Sequence, residues 1–143
     1  MSFRMSSKRR SPAVDGWFTL DEREPTLLGT RCVACGTYFF PKETHSCRNP
    51  SCGGSELEEV PLSRRGRIWS YTINHYAPPP PAVVNEPYGV AAVELSQERM
   101  IVLGQLEGNV DELHVGDEVE LTVGPLYEDD ENEYVVWKWR PLR

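Results

Sequence analysis

From about residue 65 onward, apolar and polar positions alternate with a period of two. In the run Arg67–Tyr76, Trp69, Tyr71 and Ile73 fall on one face and Ser70, Thr72 and Asn74 on the other. That alternation predicts a half-buried strand. Tyr88–Leu95 and Arg99–Leu106 are apolar runs rich in β-formers, joined by the hairpin-length turn Ser96-Gln97-Glu98. Glu118–Val123 alternates strictly, and Tyr134–Arg140 places Val135, Trp137 and Trp139 on one face. Asn109–Leu113 reads as one helical turn with Asn109 as its cap. Glu128–Glu133, a run of like charges broken by one asparagine, reads as a solvated loop between the last two strands. Five strands with a short helix between the third and fourth are the elements of an OB barrel, whose closure removes exposed edges. An open sandwich is the competing arrangement.

The first half has a different texture. Gly16–Leu20 and Thr26–Arg31 are short apolar segments able to pair as a hairpin, and Leu57–Val60 precedes the period-two region. Between them lie all four cysteines of the chain, as Cys32-x2-Cys35-Gly36 and Cys47-x4-Cys52-Gly53 with eleven residues between the pairs. Two close pairs grip a tetrahedral ion from two sides, and the glycine after each pair lets the backbone turn its N–H groups toward sulfur. Tyr38-Phe39-Phe40-Pro41 reads as the strand between the knuckles. A structural Zn²⁺ held by Cys32, Cys35, Cys47 and Cys52 is therefore expected. His45 offers itself in place of Cys52, because C-x4-C is looser than C-x2-C. Four protein ligands leave no open position for water, so such a site is structural rather than catalytic.

Charge narrows the function classes. The 143 residues carry 15 Lys and Arg against 22 Asp and Glu, a net charge of −7. Residues 1–12 hold Arg4, Lys8, Arg9 and Arg10 without an acid, so the remainder is more acidic still. Residues 107–133 contain eleven acids and no Lys or Arg. That balance disfavours a nucleic-acid-binding barrel, which would interleave basic residues with exposed aromatics. The longest run free of charged residues, Ile68–Asn85, contains four consecutive prolines and is no membrane span. The N-terminus has no apolar core behind its charges, so a cytoplasmic, reducing location is expected. The domain reading is a disordered basic tail over 1–15, a hairpin and zinc ribbon over 16–60, and an OB-fold domain over 61–143.

Outside the cysteines, no nucleophile with a positioned base can be assembled, and no catalytic residue is assigned. Pro78, Pro79, Pro80 and Pro81 preset an extended segment whose docking costs little ordering entropy; with Tyr76 it is the candidate for a partner contact. His75 borders that segment, as a hydrogen-bonded strand residue or as a catalyst. Arg64, Arg65 and Arg67 form the one basic cluster of the body. They suit pairing with the surrounding acids, or the phosphates of an anionic ligand. Trp69, Trp137 and Trp139 have the spacing of barrel core.

Taken together, the residues resemble a known family: the zinc-ribbon plus OB-fold proteins that accompany thiolase-superfamily enzymes, long catalogued as a domain of unknown function. The resemblance rests on Cys32-x-x-Cys35-Gly36, on Tyr38-Phe39-Phe40-Pro41, and on Arg65-Gly66-Arg67-Ile68-Trp69-Ser70-Tyr71-Thr72. Pro87–Leu95 and Val115-Gly116-Asp117 extend it over about residues 16–141. The C-x4-C knuckle departs from the family's usual C-x2-C. The resemblance implies a mainly β protein, with an N-terminal rubredoxin-like zinc ribbon followed by a five-stranded OB-fold barrel. It also implies a non-catalytic subunit in a heterotetramer around a dimeric partner. That partner would be a thiolase-like or lipid-transfer-protein-like catalytic subunit acting on acyl-CoA, including steroid side chains. On this resemblance Arg64, Arg65 and Arg67 would meet CoA phosphates, and His75, Tyr76 and Pro78–Pro81 would border the substrate channel. A zinc-ribbon/OB-fold nucleic-acid binder is the alternative class.

Overall fold

The structure is a computed structural model and describes residues 9–21, 23–75, 88–108 and 110–142. Among the described residues nine strands form two sheets. In chain order they are β1 (Arg9–Pro12), β2 (Leu28–Cys32), β3 (Tyr38–Phe39), β4 (Leu57–Pro61), β5 (Arg65–Asn74), β6 (Tyr88–Leu95), β7 (Ile101–Leu106), β8 (Glu118–Glu128) and β9 (Asn132–Pro141). A 3₁₀ turn, Val110–Glu112, stands where the helical turn is expected; its proposed cap, Asn109, lies outside the described residues.

The larger sheet closes on itself. β5 pairs with β6, β6 with β7, β7 with β9, β9 with β8, and β8 returns to β5. All these contacts are antiparallel except β7–β9, which is parallel. This is a five-stranded OB barrel, not an open sandwich. The alternation along β6 is complete: Gly89, Ala91, Val93 and Leu95 are buried, and the residues between them are half-buried. With Ile68, Val102, Leu106, Val119, Leu121, Val135 and Trp139 they fill the barrel. Gly66 is needed where it stands, because a Cβ there would lie 2.4 Å from the Glu94 carbonyl oxygen.

Two expectations change. The register of β5 on β6 shifts between Ile68 and Ser70, which leaves Trp69 as a bulge residue. A bulge inserts one residue and reverses the facing of the strand beyond it. Ile68 before it and Tyr71 after it therefore both serve the core, while Trp69 is 64% exposed instead of lying inward with Tyr71 and Ile73. Trp139 is buried in the barrel as expected, whereas Trp137 is half-buried and packs against the aromatic rings of the ribbon and its leading hairpin. The second change concerns the basic tail, of which Arg9–Pro12 runs parallel to Asn132–Val135 of β9. The open edge of β9 supplies the hydrogen-bonding groups that this arginine-rich, proline-ended segment could not organise alone. Arg9 N–H donates to Glu131 O, Ala13 N–H to Val135 O, and Ser11 Oγ to Asn132 Oδ1 at 3.0 Å.

The smaller sheet, in the order β3-β2-β4, is the ribbon. Leading into it, Phe18 bridges Leu27, Thr19 N–H donates to Thr26 O, and Leu28 N–H donates to Trp17 O, so the early hairpin forms as expected. Ribbon and barrel meet through aromatic rings. Trp137 of β9 stacks on Trp17 at 5.9 Å, and Phe18 and Phe40 contact it edge-on at 5.8 and 5.5 Å.

Candidate metal centre and the frame around it

The two knuckles arise from local chain chemistry. Gly36 and Gly53 adopt φ of +83° and +68°, a region open to glycine at no steric cost, and each closes its turn. Gly36 N–H donates to Cys32 O at 2.8 Å, and Gly53 N–H to Asn49 O at 3.3 Å. In the longer second knuckle, Asn49 Oδ1 accepts from Ser51 N–H at 3.0 Å, an Asx turn that absorbs the two extra residues of C-x4-C. The looser spacing therefore still delivers Cys52 to the site.

The four sulfurs lie within 4.8 Å of one another. Cys32 Sγ is 3.8 Å from Cys52 Sγ, and Cys35 Sγ is 3.6 Å from Cys47 Sγ. A tetrahedron with Zn–S bonds of about 2.3 Å has edges of about 3.8 Å, so the residues fit a zinc ion. All four are free of disulfide bonds. Backbone N–H groups support the sulfurs, Asn49 to Cys47 at 3.4 Å and Gly54 to Cys52 at 3.3 Å. Gly54 is packed so closely that a Cβ would meet the sulfurs of Cys52 and Cys32 at 3.3 and 3.5 Å. As free thiols the four are unequal. The Thr37 hydroxyl, and then its N–H, bring Cys35 down to about 6, whereas burial pushes Cys47 up to about 12. Among the described residues His45 is exposed and lies outside the cluster; its N–H donates to Glu43 Oε2. Cys32, Cys35, Cys47 and Cys52 would hold the ion, which would cross-link the ribbon and leave no coordination position for a substrate.

Other sequence candidates divide. Arg64 belongs to the frame: Nε donates to Pro25 O at 3.0 Å, Nη2 to Leu121 O at 3.4 Å, and Nη1 pairs with Glu120 at 3.1 Å. Arg65 reaches the same carboxylate at 4.0 Å, and Arg67 pairs with Glu118 at 3.0 Å; both side chains are 65% exposed. The cluster is thus one structural arginine and two outward ones. His75 lies exposed in a bend just after β5. Tyr76 and Pro78, Pro79, Pro80 and Pro81 lie outside the described residues.

Sequence reasoning missed the linker clamp. Leu62 N–H donates to Leu27 O, and Ser63 N–H donates to Glu98 Oε2 at 3.0 Å, so the β6–β7 turn grips the chain between ribbon and barrel. A carboxylate two residues into a hairpin turn gives no sequence signal of such a role.

The fold and site together define a zinc-ribbon/OB-fold protein with four cysteines positioned to bind a metal. Residues 21–58 match the ChsH2 rubredoxin-like zinc ribbon domain and residues 59–124 the ChsH2 C-terminal OB-fold domain. The chain belongs to this family. It is 39% identical over 123 residues to benzoylsuccinyl-CoA thiolase subunit BbsA of Thauera aromatica, covering 85% of this chain and 81% of the relative. It is 28% identical over 138 residues to a DUF35 domain-containing scaffold protein of Methanocaldococcus jannaschii, covering 94% of each. Among solved structures it resembles a chain of the Ltp2-ChsH2(DUF35) aldolase, with a TM-score of 0.65 and 31% identity, covering 93% of this chain and all of that one.

Proposed function

We propose that this chain is the non-catalytic companion of a thiolase-superfamily subunit acting on acyl-CoA thioesters, as a thiolase or a retro-aldolase. The observation that carries the reading is its 39% identity, over most of both chains, to a benzoylsuccinyl-CoA thiolase subunit. The commitment of every cysteine to the metal tetrad supports it, because no thiol is left to serve as an acyl acceptor. In this reading the companion stabilises its partner and shapes the acyl-CoA entrance, in a heterotetramer built around a partner dimer. His75, Tyr76 and Pro78–Pro81 border that entrance, and Arg65 and Arg67 are the arginines with guanidinium groups free enough to meet CoA phosphates. The thiolate site suits a reducing, cytoplasmic setting.

The test is affinity purification of the tagged full chain from its native host, mass spectrometric identification of a co-purifying thiolase-fold protein, and reconstitution of the pair. The pair is expected to cleave acyl-CoA substrates, and the chain alone to cleave none. Turnover by the pure chain, the absence of any thiolase-fold partner, or tight binding of single-stranded nucleic acid at physiological salt would overturn the reading.

A further inference from the structure

Exposed apolar side chains are ordinarily scattered singly over a protein surface. Among the described residues most of the large ones share a face. Ser70, Ala92 and Leu103 are register partners across β5, β6 and β7, and Trp69 bulges out beside that row. Ile101, register partner of Glu94, lies two residues along β7 from Leu103 on the same outer surface. On the other side of β5, Gly116 N–H donates to Ile68 O at 2.8 Å and Ile68 N–H to Asp117 O at 2.9 Å, which brings Val115 to the same neighbourhood. Trp69, Leu103 and Val115 are 64%, 62% and 66% exposed.

Two further observations mark this face as more than incidental. The bulge at Trp69 interrupts the ladder, and its result is to turn the largest side chain of β5 into solvent while the core keeps its residues. Bulges recur where a side chain must be re-aimed. At the end of the same face, Arg99 has φ of +59°, the one non-glycine with positive φ among the described residues. That conformation costs an arginine about 1–2 kcal/mol and a glycine nothing. Arg99 nevertheless stands there, its guanidinium 73% exposed and 3.1 Å from Glu94, and with Arg67 it lines a shallow cleft of about 300 Å³.

We propose that the outer face of β5–β6–β7 is where the catalytic subunit docks. Trp69 enters an apolar pocket of that subunit, and a carboxylate on the pocket's rim meets Arg99. The inference rests on the companion-subunit reading and gives it a surface. A second copy of this chain fits less well, since it would join two chains of net charge −7 each. The band is also small: three strands by five residues cover on the order of 250 Å². That is about a third of one side of a standard interface, the size of a hot-spot centre within a larger contact.

The test uses the reconstituted pair, with affinity measured calorimetrically for the wild-type chain, Trp69→Ala, Leu103→Glu and, as a remote control, Glu131→Gln. The first two variants are expected to bind about 30-fold or more weakly, at unchanged melting temperature and zinc content, and the control to bind normally. The tryptophan emission lost in Trp69→Phe, obtained by difference from the wild type, is expected to shift to the blue when the complex forms. Wild-type binding with Trp69→Ala within threefold of it, or an unshifted difference spectrum, would overturn this inference alone. Dimerisation of the free chain that disappears in Trp69→Ala would overturn it as well. If the wild-type chain binds no thiolase-fold subunit, this inference and the functional reading fall together.

Discussion

Arg64 and Glu120 pair at 3.1 Å where the ribbon hands the chain to the barrel, and Arg140 approaches the same carboxylate at 2.8 Å. The hydrogen bond from Arg140, aided by the charges of Arg64 and Arg65, holds the Glu120 carboxyl below its ordinary value of 4.5. A depressed folded-state value means that the ionised carboxylate stabilises the fold above the unfolded pKa; the contribution is lost as pH falls through the folded value. Glu120→Gln is therefore expected to cost about 1–3 kcal/mol at pH 7. In urea titrations the gap between wild type and variant should narrow as pH drops below 4.5. A gap independent of pH would contradict this account.

The metal centre predicts about one zinc per chain in a reducing preparation. Cys47→Ser is expected to lower zinc content and unfold the ribbon, because the buried sulfur is one of four ligands that organise it. Chelation should do the same to the wild type. Elemental analysis with circular dichroism checks both, and full stability without metal would refute the structural role.

Trp137→Ala removes a ring that touches Trp17, Phe18 and Phe40, together with the indole N–H donated to Leu103 O at 2.8 Å. The expected cost is about 3–5 kcal/mol. Because no metal ligand is touched, zinc should remain bound while limited proteolysis begins to cut between ribbon and barrel. Zinc loss in parallel with unfolding would mean that the two units depend on each other more closely than the ring contacts require.

Arg99→Gly is expected to raise stability by about 1 kcal/mol, by relieving the left-handed arginine at the β6–β7 turn. Gly66→Ala should act oppositely and cost about 1–3 kcal/mol or more, since its Cβ would press on backbone at 2.4 Å. Equilibrium denaturation measures both signs.

How much of the molecule is legible in its sequence depends on where each residue takes its instructions. β6 follows from alternation alone, because its inward and outward positions never slip. The knuckles follow from Cys-x-x-Cys-Gly and from the glycine after Cys52, since φ > 0 is a local demand. Trp69 does not follow: alternation puts it with Tyr71, and only the pairing with β6 reveals the extra residue. β1 is equally illegible, for its partner edge lies more than 120 residues away. The arginines read as one group because the sequence shows their proximity and not their direction. Arg64 turns toward Pro25 and Glu120, and Arg67 toward Glu118.

The barrel's closure has a consequence for how it assembles. β5–β6–β7 is a continuous meander and β8–β9 a long hairpin, and each half pairs mostly with its own sequence neighbours. Among the described residues the ladder between the halves is short, Arg65–Arg67 with Glu118–Glu120 and Gln105–Leu106 with Lys138–Trp139, with a few backbone hydrogen bonds extending each end. Local pairings form before distant ones because less chain entropy is lost in making them. The halves should therefore take shape separately and button together last along these two short seams. In reverse, the seams are where the barrel should first part, and the amides of Leu121 and Glu107, which donate across them to Arg64 O at 2.7 Å and Trp139 O at 2.9 Å, should give up their protons to exchange ahead of those at the centre of β6.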